Sequence, residues 1–206
     1  MYIPEIYKEA DIDKVKAFIL KHSFGIIVTH NEGKSLATHI PLELVNKNGI
    51  DVIQAHISKA NPQCDHLKNN SEVLCIFNGP HSYISSSWYD FEEVPTWNYV
   101  AVHIYGTLKI IEGDELMSAM KHLMDKYEKD SENPIIIEEL SEKTMRQMNG
   151  ILGFEININS IEAAYKLSQN RNDKNHQTII DKLNHKENSG SNAIADYMKK
   201  EREHGK

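Results

Sequence analysis

The feature that most constrains the fold is a series of short apolar runs separated by tight turns. Strand-like runs cover Phe24–Thr29, Leu36–Val45, Ile50–Ile57, Val73–Phe77, Trp97–Ile111 and Phe154–Ile158. The dipeptide Asn48-Gly49 between two of these runs tolerates positive φ and is a strong hairpin signal. Short strands joined by hairpins predict a closed or nearly closed antiparallel barrel with a Greek-key-like path.

Helical patterns interrupt and follow these runs. They cover Ile12–His22, Asp114–Tyr127 and the region 141–149. After Gln169 the chain turns polar, and short helices are predicted at His176–His185 and Ala193–Glu203. We therefore predict an α+β, mainly β chain with peripheral helices, organised as a barrel domain at residues 1–168 and a polar C-terminal segment at 169–206.

Charge and cysteine content narrow the function classes. The formal net charge is −7, which argues against DNA binding as the primary activity, because DNA binders usually neutralise phosphates with a basic face. The two cysteines, Cys64 and Cys75, form no disulfide framework and indicate a reducing compartment. No apolar run reaches the roughly 20 residues of a membrane span, and the N-terminus lacks a secretory pattern. We expect a cytoplasmic protein.

The segment from His56 to Gln63 combines a strand end with a helix start. Asn61 is a preferred N-cap residue and Pro62 a preferred first helical residue, so a helix is predicted to begin there. The free amides of a helix N-terminus, with the Ser58 hydroxyl and the Lys59 charge, favour an anion pocket, most naturally for a phosphate. The same segment is also compatible with a simple turn that carries a solvated lysine.

A second segment, Ala37–Leu42, reads ATHIPL on a predicted strand. Pro41 cannot donate to a strand ladder, which places this region at an edge or barrel rim whose backbone groups could bind a heterocycle. His39 is more typical of a hydrogen-bonded or surface histidine than of a metal ligand, and no HxH or HExxH spacing accompanies it, so no metal site is predicted.

Two further segments could contact a ligand. The stretches Phe77–Tyr89 and Val94–Tyr99 hold both tryptophans and suit a planar ligand, a subunit interface or an aromatic mini-core. Lys166–Arg171 offers two cations and two amides directly after the last strand, where a phosphate or carbonyl could bind, unless it is a plain polar loop. No nucleophile elbow, P-loop, GxGxxG or triad spacing occurs, so no catalytic residue is predicted and enzymatic activity stays open.

In chain order these segments resemble the PaiB family, bacterial FMN-binding proteins described as negative transcriptional regulators. The resemblance is carried by MYIP at the start, ATHIPL, HISKANPQ, FNGPHSYISSSWY, VPTWNYVAVHIYG, GFEI and KLSQN. Two positions depart from the family pattern. Ser86 replaces a usual proline, which affects local loop shape, and Lys59 replaces a frequent arginine, which keeps the charge but loses the bidentate fork.

The resemblance implies an FMN-binding split barrel that forms a homodimer with two flavin sites at the interface. Trp97–Tyr105 and Tyr83–Tyr89 are our candidates for the subunit contact. Ser58, Lys59 and the amides near Asn61 would hold the phosphate, beside His56, and Thr38, His39 and Ile40 would line the ring. Trp97 and Asn98 would cover the ring or come from the partner, and Lys166 and Gln169 would complete the contacts.

Several functions remain compatible with this assignment. The family description implies a regulator, and a flavin could also serve a redox sensor or a reductase, with the chemistry supplied by the cofactor. Direct DNA binding is doubtful, because no convincing helix-turn-helix is visible. The alternative is a haem-binding or haem-handling protein, since some split barrels bind haem. Its candidate axial ligands are His39, His56, His81 and His103.

Overall fold

The computed structural model describes the backbone of residues 1–204 and the side chains of residues 1–202. The strands are β1 (Phe24–Asn31), β2 (Lys34–Pro41), β3 (Glu43–Lys47), β4 (Ile50–Ser58), β5 (Glu72–Ile84), β6 (Thr96–Ile111) and β7 (Ile151–Lys166). The helices are α1 (Ile12–Lys21), α2 (Gly113–Glu128), α3 (Glu142–Met145), α4 (Asp173–Asn184) and α5 (Ser189–His204). The chain is therefore mainly β, with helices at the predicted places.

The strands form one sheet in the order β2-β1-β5-β6-β7-β4-β3, so β2 and β3 are its edges. The predicted hairpin at Asn48-Gly49 is present, and a second hairpin joins β1 to β2. Glu32 and Gly33 link β1 to β2 with φ of 49° and 77°, and Asn48 and Gly49 link β3 to β4 with φ of 53° and 88°. Two consecutive residues with positive φ are typical of the type I′ turns that match the twist of paired strands.

Some predicted bounds were wrong for identifiable reasons. The run Leu36–Val45 is two strands, because Pro41 ends β2 and Leu42 turns inward, fully buried, to donate its N–H to the Ser23 carbonyl at 2.8 Å. In contrast, β5 continues through Gly79-Pro80. A Cβ at Gly79 would lie 2.6 Å from the Phe18 ring, so glycine is required there by the close approach of α1.

The chain forms two compact units. We call Ile19–Ile76 with Ile104–Ile161 the hairpin unit, because it contains both hairpins. The tail unit comprises Met1–Phe18, Phe77–His103 and the chain from Glu162 on. Strands β5, β6 and β7 each supply a segment to both units.

Each unit has its own apolar core. The hairpin unit buries Ile27, Leu42, Ile53, Phe154 and Ile156 completely. The tail unit buries Phe77, Ile84, Leu167, Ile179, Leu183, Ile194 and Met198. The last four form the buried apolar faces of α4 and α5. Among the described residues, no helix is both long and apolar enough to cross a membrane.

Candidate functional site

The residues predicted to bind a cofactor belong to both units. Thr38, His39, Ile40, His56, Ser58, Lys59 and Asn61 lie in the hairpin unit, and Trp97, Asn98, Lys166 and Gln169 lie in the tail unit. The contacts of the residues in each unit are described separately.

In the hairpin unit, β4 ends at an exposed Ser58 and continues into what we call the Ser58 loop, residues 58–61. Lys59 is anchored twice at the start of β7: its backbone N–H donates to the Gly150 carbonyl and its ammonium to the Asn149 carbonyl, both at 2.9 Å. Its side chain is exposed, and its ammonium contacts a neutral acceptor. The charge of Lys59 is therefore held in place without being neutralised.

The predicted helix start at Asn61 is only partly correct. Asn61 does cap, accepting from the Gln63 N–H at 2.9 Å, and Pro62 does follow, but the element is a 3-10 turn of five residues, Pro62–His66. Its amides are already used. The Ala60 N–H donates to the Ser58 Oγ at 3.2 Å, and the Cys64 N–H donates to the Asn61 carbonyl at 2.9 Å.

The expected phosphate contact through the amides near Asn61 is therefore not offered by this backbone. The Asn61 N–H also donates internally, to the Ser58 carbonyl at 2.9 Å. The groups that can still donate to an anion are the Lys59 ammonium and the Ser58 hydroxyl, whose oxygen is the acceptor in its bond to Ala60.

A buried glutamine, Gln63, fixes the turn that follows this loop. It is 1% exposed, and its amide nitrogen lies 3.2 Å from the Ile27 carbonyl and 3.1 Å from both the Thr29 hydroxyl and the Leu36 carbonyl. These acceptors belong to β1 and β2. One side chain thus joins the turn after β4 to the first hairpin.

Thr38 connects the same network to the Ser58 loop. Its hydroxyl donates to Gln63 Oε1 at 2.6 Å and accepts from Asn61 Nδ2 at 3.0 Å. The structure therefore brings Thr38 and Asn61, two of the predicted site residues, into contact. Gln63 itself was missed by the sequence analysis, and the signal available was its place as the last residue of the HISKANPQ segment.

The other residues of β2 present mainly backbone. His39 is exposed and stacks on Phe24, with centroids 6.4 Å apart and an interplanar angle of 29°. Ile40 is 8% exposed, so its side chain belongs to the core. Because β2 is an edge strand, the backbone groups that face away from β1 lie outside that ladder, as predicted for a rim.

His56 lies half-buried on β4 beside a small cavity of about 10 Å³ that Pro41 and His122 also line. That volume suits about one water molecule. Burial lowers the pKa of His56, so its imidazole is neutral at neutral pH.

The same cavity is bordered by a buried carboxylate that the sequence analysis did not identify. Glu43 is 3% exposed and accepts from the Lys126 ammonium at 2.5 Å and from the Tyr127 hydroxyl at 2.9 Å. Both donors lie on α2, so this pair fixes α2 against the start of β3.

In the tail unit, Trp97 and Asn98 point to opposite environments. Trp97 is 52% exposed, with its ring 6.0 Å from that of His81 and 5.8 Å from that of Tyr83. Asn98 is fully buried and donates to the Ser168 hydroxyl at 3.0 Å. The amide of Asn98 thus stabilises the end of β7 internally.

Lys166 and Gln169 also bond within this unit. The Lys166 ammonium donates to the Thr96 hydroxyl at 2.5 Å, and burial, together with the charge of Arg171, lowers the pKa of Lys166. Gln169 folds back on its own strand, donating to the Tyr165 carbonyl and accepting from the Leu167 N–H at 2.8 Å. Gln169 is therefore a terminating residue for β7 in this arrangement.

Comparison with known proteins gives a consistent result. A family described as "Putative FMN-binding domain" matches residues 1–160. Protease synthase and sporulation protein PAI 2 of Bacillus subtilis is 42% identical over 199 residues, covering 96% of this chain and 96% of that protein.

Two solved structures share the fold. One is the FAD and haem binding protein from Mycobacterium smegmatis, with a TM-score of 0.62 and 14% identity over 78% of this chain and 73% of that chain. The other is the flavocytochrome Anf3 from Azotobacter vinelandii, with a TM-score of 0.57 and 15% identity over 77% of this chain and 69% of that chain. These likenesses confirm the predicted split-barrel fold.

We predict that Gln63→Leu lowers the free energy of unfolding by about 2–3 kcal/mol, because it leaves the Thr38 and Thr29 hydroxyls and two carbonyls without their buried partner. Urea denaturation measures this. The matched control is Gln147→Leu in the same unit, at an exposed position, which should change stability by less than about 0.5 kcal/mol. Equal effects at the two positions would contradict the assigned role of Gln63.

Proposed function

The chain belongs to the PaiB family of FMN-binding proteins, and from this premise we propose that its hairpin unit binds FMN, with the phosphate at the Ser58 loop. The observation that carries the proposal is the Lys59 ammonium, which is anchored by a neutral carbonyl beside the exposed Ser58 hydroxyl.

The donor set of the Ser58 loop fits a phosphate monoester. A dianionic phosphate requires a cation and hydrogen-bond donors at a solvent-accessible position, and Lys59 with Ser58 supplies both. The backbone N–H groups of residues 59–61, 63 and 64 already donate within the protein, and Pro62 has none, so side chains make the phosphate contact. Asn61 then acts by shaping the loop.

The edge of β2 supplies the contacts proposed for the flavin ring. The backbone groups in the His39–Ile40 stretch that face away from β1 can hydrogen-bond the ring edge, and the His39 imidazole is exposed beside them. Thr38 holds the loop against this edge through Asn61. His56 is neutral and half-buried, so it adds no charge to the site.

Within the tail unit we assign different roles. Asn98 and Gln169 support the end of β7, since their amides are bonded internally. Lys166 retains a half-buried charge that could meet the flavin phosphate of a partner subunit. Residues 1–168 are proposed as the flavin domain, and 169–206 as a C-terminal segment attached to it.

FMN, when bound, would supply one- or two-electron redox chemistry. The residues of this chain bind and orient it, and none is assigned a proton transfer. By its likeness to PAI 2, we propose a regulator that responds to the redox state of the flavin and acts in the cytoplasm. The free cysteines agree with a reducing compartment, and burial raises the pKa of Cys75 to about 12, which keeps that thiol unreactive.

The haem alternative is less well supported by the histidines. The cavity beside His56 holds about 10 Å³, far less than a porphyrin needs, and His39 and His81 are engaged with aromatic rings. The absorption spectrum of the purified protein distinguishes the two cofactors directly.

Direct DNA binding is not part of the proposal. Helices α4 and α5 are joined by the short turn 185–188, a connection length that resembles a helix-turn-helix. However, Arg202 pairs with Asp173, and Lys199 pairs with Asp196 at 3.4 Å. Neutralised cations on α5 make a poor phosphate-binding face.

Homodimerisation is proposed through the hairpin unit. Its β1–β5 register places Ile26 opposite Ile76 and Val28 opposite Leu74, and all four side chains are half-exposed on the face opposite the core residues. We call these four residues the β1–β5 patch. Tyr105 lines a groove beside Val28 and Leu74, which agrees with the expected contact at the Trp97–Tyr105 strand.

The Tyr83–Tyr89 segment is a weaker candidate for the subunit contact. Its Trp88 ring is covered by the Lys186 ammonium at 4.8 Å, and its Tyr89 ring by the Arg171 guanidinium at 4.7 Å. These rings are already engaged within the tail unit. An apolar, self-complementary surface such as the β1–β5 patch suits a twofold interface better.

We predict that Lys59→Gln raises the dissociation constant for FMN about tenfold and leaves that for riboflavin unchanged, because only FMN carries the phosphate. Flavin fluorescence quenching measures both. Lys68→Gln, at an exposed lysine of the same unit, is the control and should change neither. Equal affinities of FMN for wild type and Lys59→Gln would remove the phosphate site.

We predict no binding of a labelled random-sequence duplex pool at micromolar protein, even at low salt, as measured by fluorescence anisotropy. Low salt exposes any phosphate-driven affinity, which DNA-binding proteins retain for non-specific sequences. Binding that weakens steeply as salt increases would show direct DNA contact.

We predict that wild type sediments as a dimer and that Leu74→Glu sediments as a monomer, because a carboxylate in the β1–β5 patch would be buried without a partner. Ser35→Glu, at an exposed position of the first hairpin, is the control and should remain dimeric. A dimeric Leu74→Glu protein with native circular dichroism would place the interface elsewhere.

A further inference from the structure

The tail unit contains a groove that the FMN proposal does not use. It is open to solvent and has a volume of about 520 Å³, within the range of about 300–1,000 Å³ typical of small-molecule sites. Residues that matter for its chemistry are Pro80, His81, Tyr83, Trp97, Lys186 and Asn188. All belong to the tail unit, so the groove is formed within one compact body.

One wall of the groove is aromatic and exposed. Trp97 is 52% and Tyr83 41% accessible, although both side chains are large and mostly apolar. The Trp97 ring lies close to those of His81 and Tyr83, at centroid distances of 6.0 Å and 5.8 Å. Adjacent exposed rings of this kind favour a planar aromatic ligand, because such a ligand buries apolar area with offset or edge-to-face geometry.

The groove carries a positive charge. Lys186 is the one full charge among its lining residues. The ammonium donates to the Tyr83 carbonyl at 3.1 Å and lies 4.8 Å from the centre of the Trp88 ring, so both partners are uncharged. The cation is held beside the aromatic wall and is not neutralised there, which favours an anion.

The floor of the groove is preformed. The Ser82 and Ser191 hydroxyls, both almost fully buried, are hydrogen-bonded at 3.0 Å and join β5 to α5. Gly190 allows this close approach, since a Cβ there would lie 3.3 Å from the His81 carbonyl oxygen and 3.1 Å from Asn188 Oδ1. A site built on such contacts needs little ordering on binding.

We propose that this groove binds a small anionic aromatic compound of the aromatic carboxylate class. The ring of the ligand packs on Trp97 and Tyr83, and its carboxylate pairs with the Lys186 ammonium. The groove shares no residue with the Ser58 loop, and ligand binding in it does not require FMN at that loop.

Isothermal titration calorimetry with naphthalene-2-carboxylate, and with its uncharged carboxamide, tests the proposal. The carboxylate should bind wild type more tightly than the carboxamide. Lys186→Gln should weaken carboxylate binding about tenfold and leave the carboxamide unchanged, because it removes one charge-assisted contact. Tyr83→Ala should weaken both ligands. Lys182→Gln, at an exposed lysine of α4, is the charge-matched control and should bind both as wild type does.

Three results would overturn the proposal: no heat of binding with wild type, equal affinity for the two probes, or equal losses in Lys186→Gln and Lys182→Gln. Sedimentation of Tyr83→Ala adds a further outcome. If wild type binds neither probe and Tyr83→Ala sediments as a monomer, a second copy of the chain covers the groove. FMN affinity measured in Lys186→Gln should equal that of wild type, so failure at this groove and failure at the Ser58 loop are distinguishable.

Discussion

The hairpin unit depends on one buried amide. Gln63 is 1% exposed, and its two polar atoms contact β1, β2 and Thr38, which in turn contacts Asn61. Leaving such groups unpaired in the interior would cost about 1–3 kcal/mol each, so the bonds strongly favour a single position for the turn. That turn directly follows Ser58 and Lys59. Gln63 therefore stabilises the turn next to the exposed Lys59 cation, whose ammonium is itself anchored by the Asn149 carbonyl.

Much of the fold could be predicted because its signals are local. Asn48-Gly49 and Glu32-Gly33 provide positive φ at the hairpins, and alternation along β6 identifies its strand. The length of each strand was harder to predict. The segment Asn78-Gly79-Pro80 looks like a turn by composition, yet it is strand, because Gly79 accommodates the Phe18 ring. That constraint comes from a residue distant in sequence.

The sequence predicted where the candidate site lies, but it did not predict which of its polar groups are free to bind a ligand. The Asn61-Pro62 pair does begin a turn, but the five-residue 3-10 geometry uses up the amides that a longer helix would leave open. Asn98 and Gln169 have residue types that suit ligand contacts, and both bond internally. Sequence identifies which polar groups exist, whereas the tertiary structure determines which of them are already satisfied.

We propose that Gln63 positions Lys59 for the phosphate of FMN, and a double-mutant cycle measures this coupling. The ratio of riboflavin to FMN dissociation constants would be measured for wild type, Lys59→Gln, Gln63→Leu and the double variant, each verified as folded by circular dichroism. If Gln63 positions Lys59, Gln63→Leu lowers the ratio by itself, and Lys59→Gln adds little in that background. Additive effects, with a coupling energy below about 0.5 kcal/mol, would contradict it.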